Sequence, residues 1–259
     1  MHRYVVFNWK LNPPSRDEAD KLMQAAVKAS QGVQQTTVVA CPPFQYLFRF
    51  ADTMNKSVRM GLGAQNCFWE DAGAYTGAIS PLALKQAGVS YVILGHSERP
   101  QTGETDEMVS KKIIKALESG LTPIICFGED LETHEKGSHA VEKFLTGQLE
   151  ARLGKLTLLP LHQRMRVIIT YEPIWAISGH SGNVADAPSD SRDRIGWMKT
   201  AIQRICNLEQ PLEILYGGSV NARNVEAFCQ EPIIDGFLVG HASLNPAEVR
   251  TIIETAEAH

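Results

Sequence analysis

Glu172 closes the apolar run "MRVIITYE", and His96 follows the apolar run "VSYVILG". A carboxylate whose pKa is lifted by desolvation can take a proton, and an imidazole can give one, provided each lies within hydrogen-bond reach of the reacting atom. Pro173, Ile174 and Trp175, directly after Glu172, have the bulk to exclude water. Ser97 or its neighbours could start a helical turn, whose positive end disfavours an imidazolium and keeps His96 a neutral proton donor. Lys10, after Asn8 and Trp9, offers an ammonium for charge developing on a substrate oxygen, or an amine for a Schiff base. Taken singly, each residue also has a plain structural reading: a loop carboxylate, a core histidine, a solvated lysine.

Later in the chain, "YGGSV" and "LVGHAS" offer backbone N–H groups at Gly218, Ser219, Gly240 and His241, with a short helix expected to begin near His241. Such N–H groups suit an anion, although two glycine turns are also simply turns. Glu98, Arg99 and Glu104 are spaced to form an ion-pair framework beside His96. The 8 histidines show no HxH or HExxH spacing, so no metal site is expected. Cys126, inside "IICFGE", reads as a small buried hydrophobe rather than a nucleophile.

Those residues need elements to hold them. Eight short runs rich in Val, Ile and Tyr read as strands: 4–9, 36–41, 59–65, 89–95, 121–128, 165–172, 212–217 and 234–240. They are nearly continuous in hydrophobicity, as strands buried on both faces of a parallel sheet must be. Amphipathic stretches alternate with them at 15–30, 44–54, 80–87, 104–119, 138–153, 191–207, 221–228 and 246–256; the first opens on Ser15 with Glu18 three residues on, a capping-box pattern. Strict alternation implies parallel strands with crossover helices. An early strand followed by GxGxxG, the mark of a doubly wound nucleotide binder, is missing. The expected fold is therefore an α/β (β/α)8 TIM barrel, one domain over 1–259. In that architecture the active site lies at the C-terminal ends of the strands, and a phosphate site often follows strands 7 and 8. Asn8, Lys10, Gln65, Asn66, His96, Glu98, Glu129, Glu172, Ser219 and His241 all fall at such ends.

Composition narrows the partners. Charge is mixed, 25 basic against 29 acidic residues for a net −4, with no basic footprint for nucleic acid. No apolar run approaches the ~18 residues of a membrane span, and the N-terminus reaches its first charge at once, so no secretory signal is expected. The 5 cysteines lack CxxC spacing, which points to a reducing, cytoplasmic setting.

The motifs "NWK", "AQN", "GHSER", "GETDE", "CFGE", "YEPIWAI", "YGGSV" and "DGFLVG" together resemble the triosephosphate isomerase family, in its order and over essentially the whole chain. The resemblance implies interconversion of dihydroxyacetone phosphate and glyceraldehyde 3-phosphate, with Glu172 as base, His96 as neutral acid, Lys10 and Asn8 stabilising an enediolate, and Glu98 in support. These roles coincide with a standard illustration of glutamate and histidine catalysis. It further implies a homodimer formed through the 67–79 loop, which contains Thr76, and no metal or organic cofactor. A four-carbon sugar phosphate isomerase is the nearest alternative, ahead of a Lys10-dependent aldolase or a non-catalytic phosphate-binding barrel. The chain departs from the family pattern at three places. "ISGHSGNVADAP" places Ser178 where the family has glycine and is about three residues longer to the next proline; Gly240-His241 replaces a glycine pair; and "SERP" replaces "SERR". The expectation is a longer lid that closes on phosphate through the Ser178 N–H. A non-glycine residue forced to positive φ would cost about 1 kcal/mol there.

Overall fold

The computed structural model describes residues 2–54, 60–177 and 186–259. Along the chain run β1 (Arg3–Asn8), α1 (Arg16–Ala29), β2 (Thr36–Cys41), α2 (Phe44–Met54), β3 (Met60–Ala64), α3 (Pro81–Gln86), β4 (Tyr91–Leu94), α4 (Asp106–Glu118) and β5 (Thr122–Phe127). They are followed by α5 (Leu131–Glu135), α6 (Ser138–Leu153), α7 (Leu161–Arg164), β6 (Ile168–Tyr171), α8 (Pro188–Cys206), β7 (Ile214–Tyr216), α9 (Val225–Cys229), β8 (Gly236–Val239) and α10 (Pro246–Ala258). All neighbouring strands pair in parallel, and β8 returns to β1, with Val6 opposite Leu238, to close the barrel. The expected architecture is the observed one. Among the described residues no helix is long and apolar enough to cross a membrane.

Side-chain alternation divides each strand between two cores. Val6, Val39, Ile93, Cys126, Ile168, Leu215 and Leu238 fill the barrel interior. Val5, Phe7, Val38, Ala40, Ile125 and Ile169 face the helices. This double burial is why the strands read as unbroken apolar runs. The same period of two carries chemistry to the mouth: Asn8 follows Val6, and Glu172 follows Ile168 and Thr170, on the inward register. Gly217 and Gly240 follow Leu215 and Leu238 on that register and leave the mouth open.

Element ends differ from expectation for local reasons. Ser15 caps α1 by accepting the Glu18 N–H at 3.3 Å, as expected. β6 begins at Ile168 because Met165 and Arg166 donate their N–H groups back to Leu161 and Gln163, closing α7. α8 begins three residues early, at Pro188, whose fixed φ suits a first helical turn. α9 begins late because Asn221 N–H donates to Asn224 Oδ1, and Arg223 N–H to Asn221 Oδ1. Asparagine side chains there take the backbone partners a helix would use.

Candidate active site at the barrel mouth

β6 delivers Glu172 into the mouth, and the backbone fixes it there: Glu172 N–H donates to Phe127 O at 2.7 Å and Ile174 N–H to Glu129 O at 3.0 Å. The residue is 3% exposed. Its Oε1 lies 3.0 Å from His96 Nε2, and its Oε2 accepts the Ser97 N–H at 3.2 Å. Burial, with the nearby Glu172 carboxylate adding to it, pushes the Cys126 thiol well up in pKa, consistent with its reading as inert.

His96 leaves β4 into a turn in which Arg99 N–H donates to His96 O at 2.9 Å. No long helix starts there. What fixes the ring is one N–H: Glu98 N donates to Nδ1 at 3.2 Å, so Nδ1 accepts and the ring hydrogen lies on Nε2, facing Glu172. Burial opposes charge on both groups, yet each supports the other. The Glu172 carboxylate moves His96 upward against burial. The imidazole, the Ser97 N–H and Lys10 move Glu172 downward against burial.

Lys10 adopts φ 52, rare for a residue with a side chain. The conformation is held from both sides: Lys10 N–H donates to Asn8 Oδ1 at 3.0 Å, and Gln65 Nε2 donates to Lys10 O at 2.8 Å. Its Nζ donates to Glu98 Oε1 at 2.7 Å. Glu98 thus turns toward Lys10 and His96, whereas Arg99 and Glu104 pair with one another at 3.5 Å on the far side, where Lys112 also reaches Glu104. The expected ion-pair framework is split in two.

A pocket of about 490 Å³ brings together Asn8, Lys10, His96, Glu172, Gly218, Ser219, Gly240 and His241. Glu98 stands behind Lys10, and Ser178 lies outside the described residues. His241 opens a short 3-10 helix, His241–Leu244, as the sequence suggested. Among the described residues only Lys10 and Asn207 combine a side chain with positive φ, so His241 carries no such strain. The Ser219 N–H donates to Ala176 O at 3.2 Å, so it must change partner to serve an anion. Glu129 anchors the approach to the loop: its Oε1 accepts from Tyr171 Oη at 3.0 Å and Trp175 Nε1 at 2.9 Å.

The chain matches the triosephosphate isomerase family model over residues 3–256. It is 38% identical over 257 residues to the triosephosphate isomerase of Dictyoglomus thermophilum, covering 98% of this chain and 99% of that one. It is 41% identical over 253 residues to that of Thermoanaerobacter pseudethanolicus, covering 96% and 97%. With that of a Synechococcus strain, JA-2-3B'a(2-13), identity is 39% over 254 residues, covering 96% and 95%. The chain belongs to the triosephosphate isomerase family.

Two sets of residues at this family member's mouth escaped the sequence reading. Asn12, Asn221, Asn245 and Glu248 also line the pocket, from loops and helix starts whose polar residues are unremarkable in a string. Arg152 lies buried on α6 beneath the site, donating through Nη1 to Gly95 O at 3.2 Å and to Cys126 O, and through Nε to Asp106 at 2.7 Å. It ties β4 to β5 under His96. A signal was present: Arg152 continues the buried stripe of Val141, Leu145 and Leu149, where a charge needs a reason.

Proposed function

We propose that the protein interconverts dihydroxyacetone phosphate and D-glyceraldehyde 3-phosphate by proton transfer through an enediolate, in glycolysis and gluconeogenesis. The observation that carries this reading is a buried carboxylate and a neutral Nε2–H imidazole 3.0 Å apart in a pocket that also holds Lys10. Glu172 takes the carbon-bound proton. His96 donates from Nε2 to the substrate oxygen, Lys10 offsets the charge that develops there, and Asn8 orients Lys10. Glu98 positions both Lys10 and His96. Gly218, Ser219, Gly240 and His241 face the phosphate, with Ser178 closing over it.

A substrate carbonyl must replace Glu172 as the acceptor of the His96 Nε2–H. Once it does, the carboxylate no longer supports an imidazolium, and burial and the Glu98 N–H both keep the ring neutral. An aldolase would need a free Lys10 amine, whereas Nζ is committed to Glu98 at 2.7 Å. The test is a coupled assay on purified protein. kcat/KM for dihydroxyacetone phosphate should far exceed that for erythrulose phosphates; the reverse order would replace this reading with the four-carbon one.

The working form we propose is a homodimer through the 67–79 loop, in the cytoplasm. Tyr75 is 47% exposed and Leu11 88% exposed, and Phe68 stacks on Trp69 at 4.0 Å beside Tyr75. Apolar surface of this kind calls for a partner. The five cysteines are buried and unbonded, as suits a reducing compartment. Sedimentation equilibrium should return twice the chain mass, and a single-chain mass at micromolar concentration would rule the dimer out.

A further inference from the structure

Arg152, the charged member of the buried stripe of α6, stands where the sheet itself runs out. The β4–β5 ladder pairs Tyr91 with Thr122 and continues to Leu94 opposite Ile125. Beyond that pair, the next carbonyl on each side, Gly95 O and Cys126 O, accepts from one nitrogen, Arg152 Nη1, the first at 3.2 Å. The guanidinium is held in turn. Its Nε donates to Asp106 Oδ1 at 2.7 Å in the first turn of α4, and its Cζ lies 5.3 Å from the centre of the Phe127 ring. A Cβ at residue 95 would lie 2.7 Å from Nη1, so the contact needs the glycine.

The proposed acid and base lie directly beyond this bridge. His96 follows Gly95, and Phe127, which follows Cys126, accepts the Glu172 N–H at 2.7 Å. The β5–β6 ladder reaches the same height, with Phe127 opposite Tyr171. The 3.0 Å between His96 Nε2 and Glu172 Oε1 is thus spanned by two joints. Backbone pairing makes the one from β5 to β6, and Arg152 makes the one from β4 to β5.

We propose that Arg152 is a positioning residue for the reaction, fixing the separation of His96 and Glu172 by bridging Gly95 and Cys126. The proposal rests on the acid and base roles given above.

A guanidinium suits the place because its planar fork presents donors in fixed directions, so two carbonyls and a carboxylate are held at set angles. Without that donor the two buried carbonyls must find others, and the strands shift to do so. The phosphate wall stands apart from this. Gly218, Ser219, Gly240 and His241 follow β7 and β8, whereas Arg152 bonds the ends of β4 and β5 and the start of α4. Loss of the bridge should therefore slow the chemistry and spare anion binding.

The test compares Arg152→Met and Arg152→Lys with the wild type. Met removes charge and fork together; Lys keeps the charge, but its nitrogen stops one bond short of Nη1. For dihydroxyacetone phosphate, kcat should fall about 10²-fold in both with KM held within about twofold, the loss typical of a shift of about 1 Å in a reacting group. Calorimetry with inorganic sulfate should return wild-type affinity and stoichiometry, which counts the folded, competent molecules. In proton NMR spectra the His96 Nε2–H resonance should move upfield as its bond to Glu172 lengthens.

Wild-type kcat in Arg152→Lys overturns the proposal, since charge then suffices without the bridge. So does sulfate affinity that falls in step with kcat, because the whole mouth has then been disturbed. An unmoved His96 resonance overturns it as well. Should Arg152→Met fail to fold, Arg152→Lys carries all three readings. A wild type lacking isomerase turnover or sulfate binding removes only the functional reading, and the resonance then decides the proposal.

Discussion

Replacing Glu172 by Gln should lower kcat by about 10²- to 10⁴-fold, the span typical of a lost general base. The fold should survive, because the amide has the carboxylate's shape and the backbone bonds from Glu172 N–H to Phe127 and from Ile174 N–H to Glu129 do not involve the side chain. The amide cannot reproduce the polar contacts. Oε1 faces the His96 Nε2–H and Oε2 accepts the Ser97 N–H, so whichever way the amide turns, its NH2 meets another donor. That mismatch costs about 1 to 3 kcal/mol, visible as a lower urea midpoint with unchanged circular dichroism. The decisive measurement is turnover of dihydroxyacetone phosphate. Near-normal kcat in the Gln variant would sink the assignment of Glu172 as base.

Gly128→Ala should be nearly as damaging, although residue 128 touches no substrate. Its Cβ would fall 1.8 Å from Glu172 O, 2.5 Å from the carbonyl carbon and 3.2 Å from Pro173 N. These are backbone atoms, so no rotamer relieves the clash; β5 and β6 must part by roughly 1.5 Å at the mouth before contact becomes ordinary. The 2.7 Å bond from Glu172 N–H to Phe127 O cannot persist through that separation. A shift of about 1 Å in a reacting group can cost about 10²-fold in rate, and overpacking adds about 1 to 3 kcal/mol of destabilisation. Both kcat/KM and the urea midpoint should fall together. A variant with wild-type kcat/KM would show that Glu172 is not held by this backbone contact.

Much of this was readable from the string, and the reason is physical. Strands buried on both faces must be largely apolar, so Glu172, His96 and Asn8 stand out at their ends as strongly polar side chains closing long apolar runs. The barrel follows from such repeats, whereas the family follows from the resemblance carried by the motifs at the strand ends. What could not be read depends on contacts between segments far apart in sequence. Glu98 turning to Lys10 rather than joining Arg99 and Glu104 is one such contact, and the occupation of the Ser219 N–H by Ala176 O is another. Arg152 is a third, 57 residues from the Gly95 carbonyl it holds. Lys10 at φ 52 is a fourth case: no propensity puts a lysine in that conformation, and the Asn8 and Gln65 hydrogen bonds that brace it come from other positions in the chain.

The period-two register of the strands behaves like a reading frame. Ile168, Thr170 and Glu172 point inward while Ile169 and Tyr171 point to the helices, and pairing of β6 with β5 and β7 locks that phase. An insertion within β6 would be a frameshift, sending the carboxylate out of the barrel. An insertion after Ile177 is silent in this sense, because the phase is already set. The extra length that the family resemblance implies for "ISGHSGNVADAP" would fall on the permissive side of that boundary. Loops of this barrel are therefore free to be edited in length, while its strands can be edited only in kind.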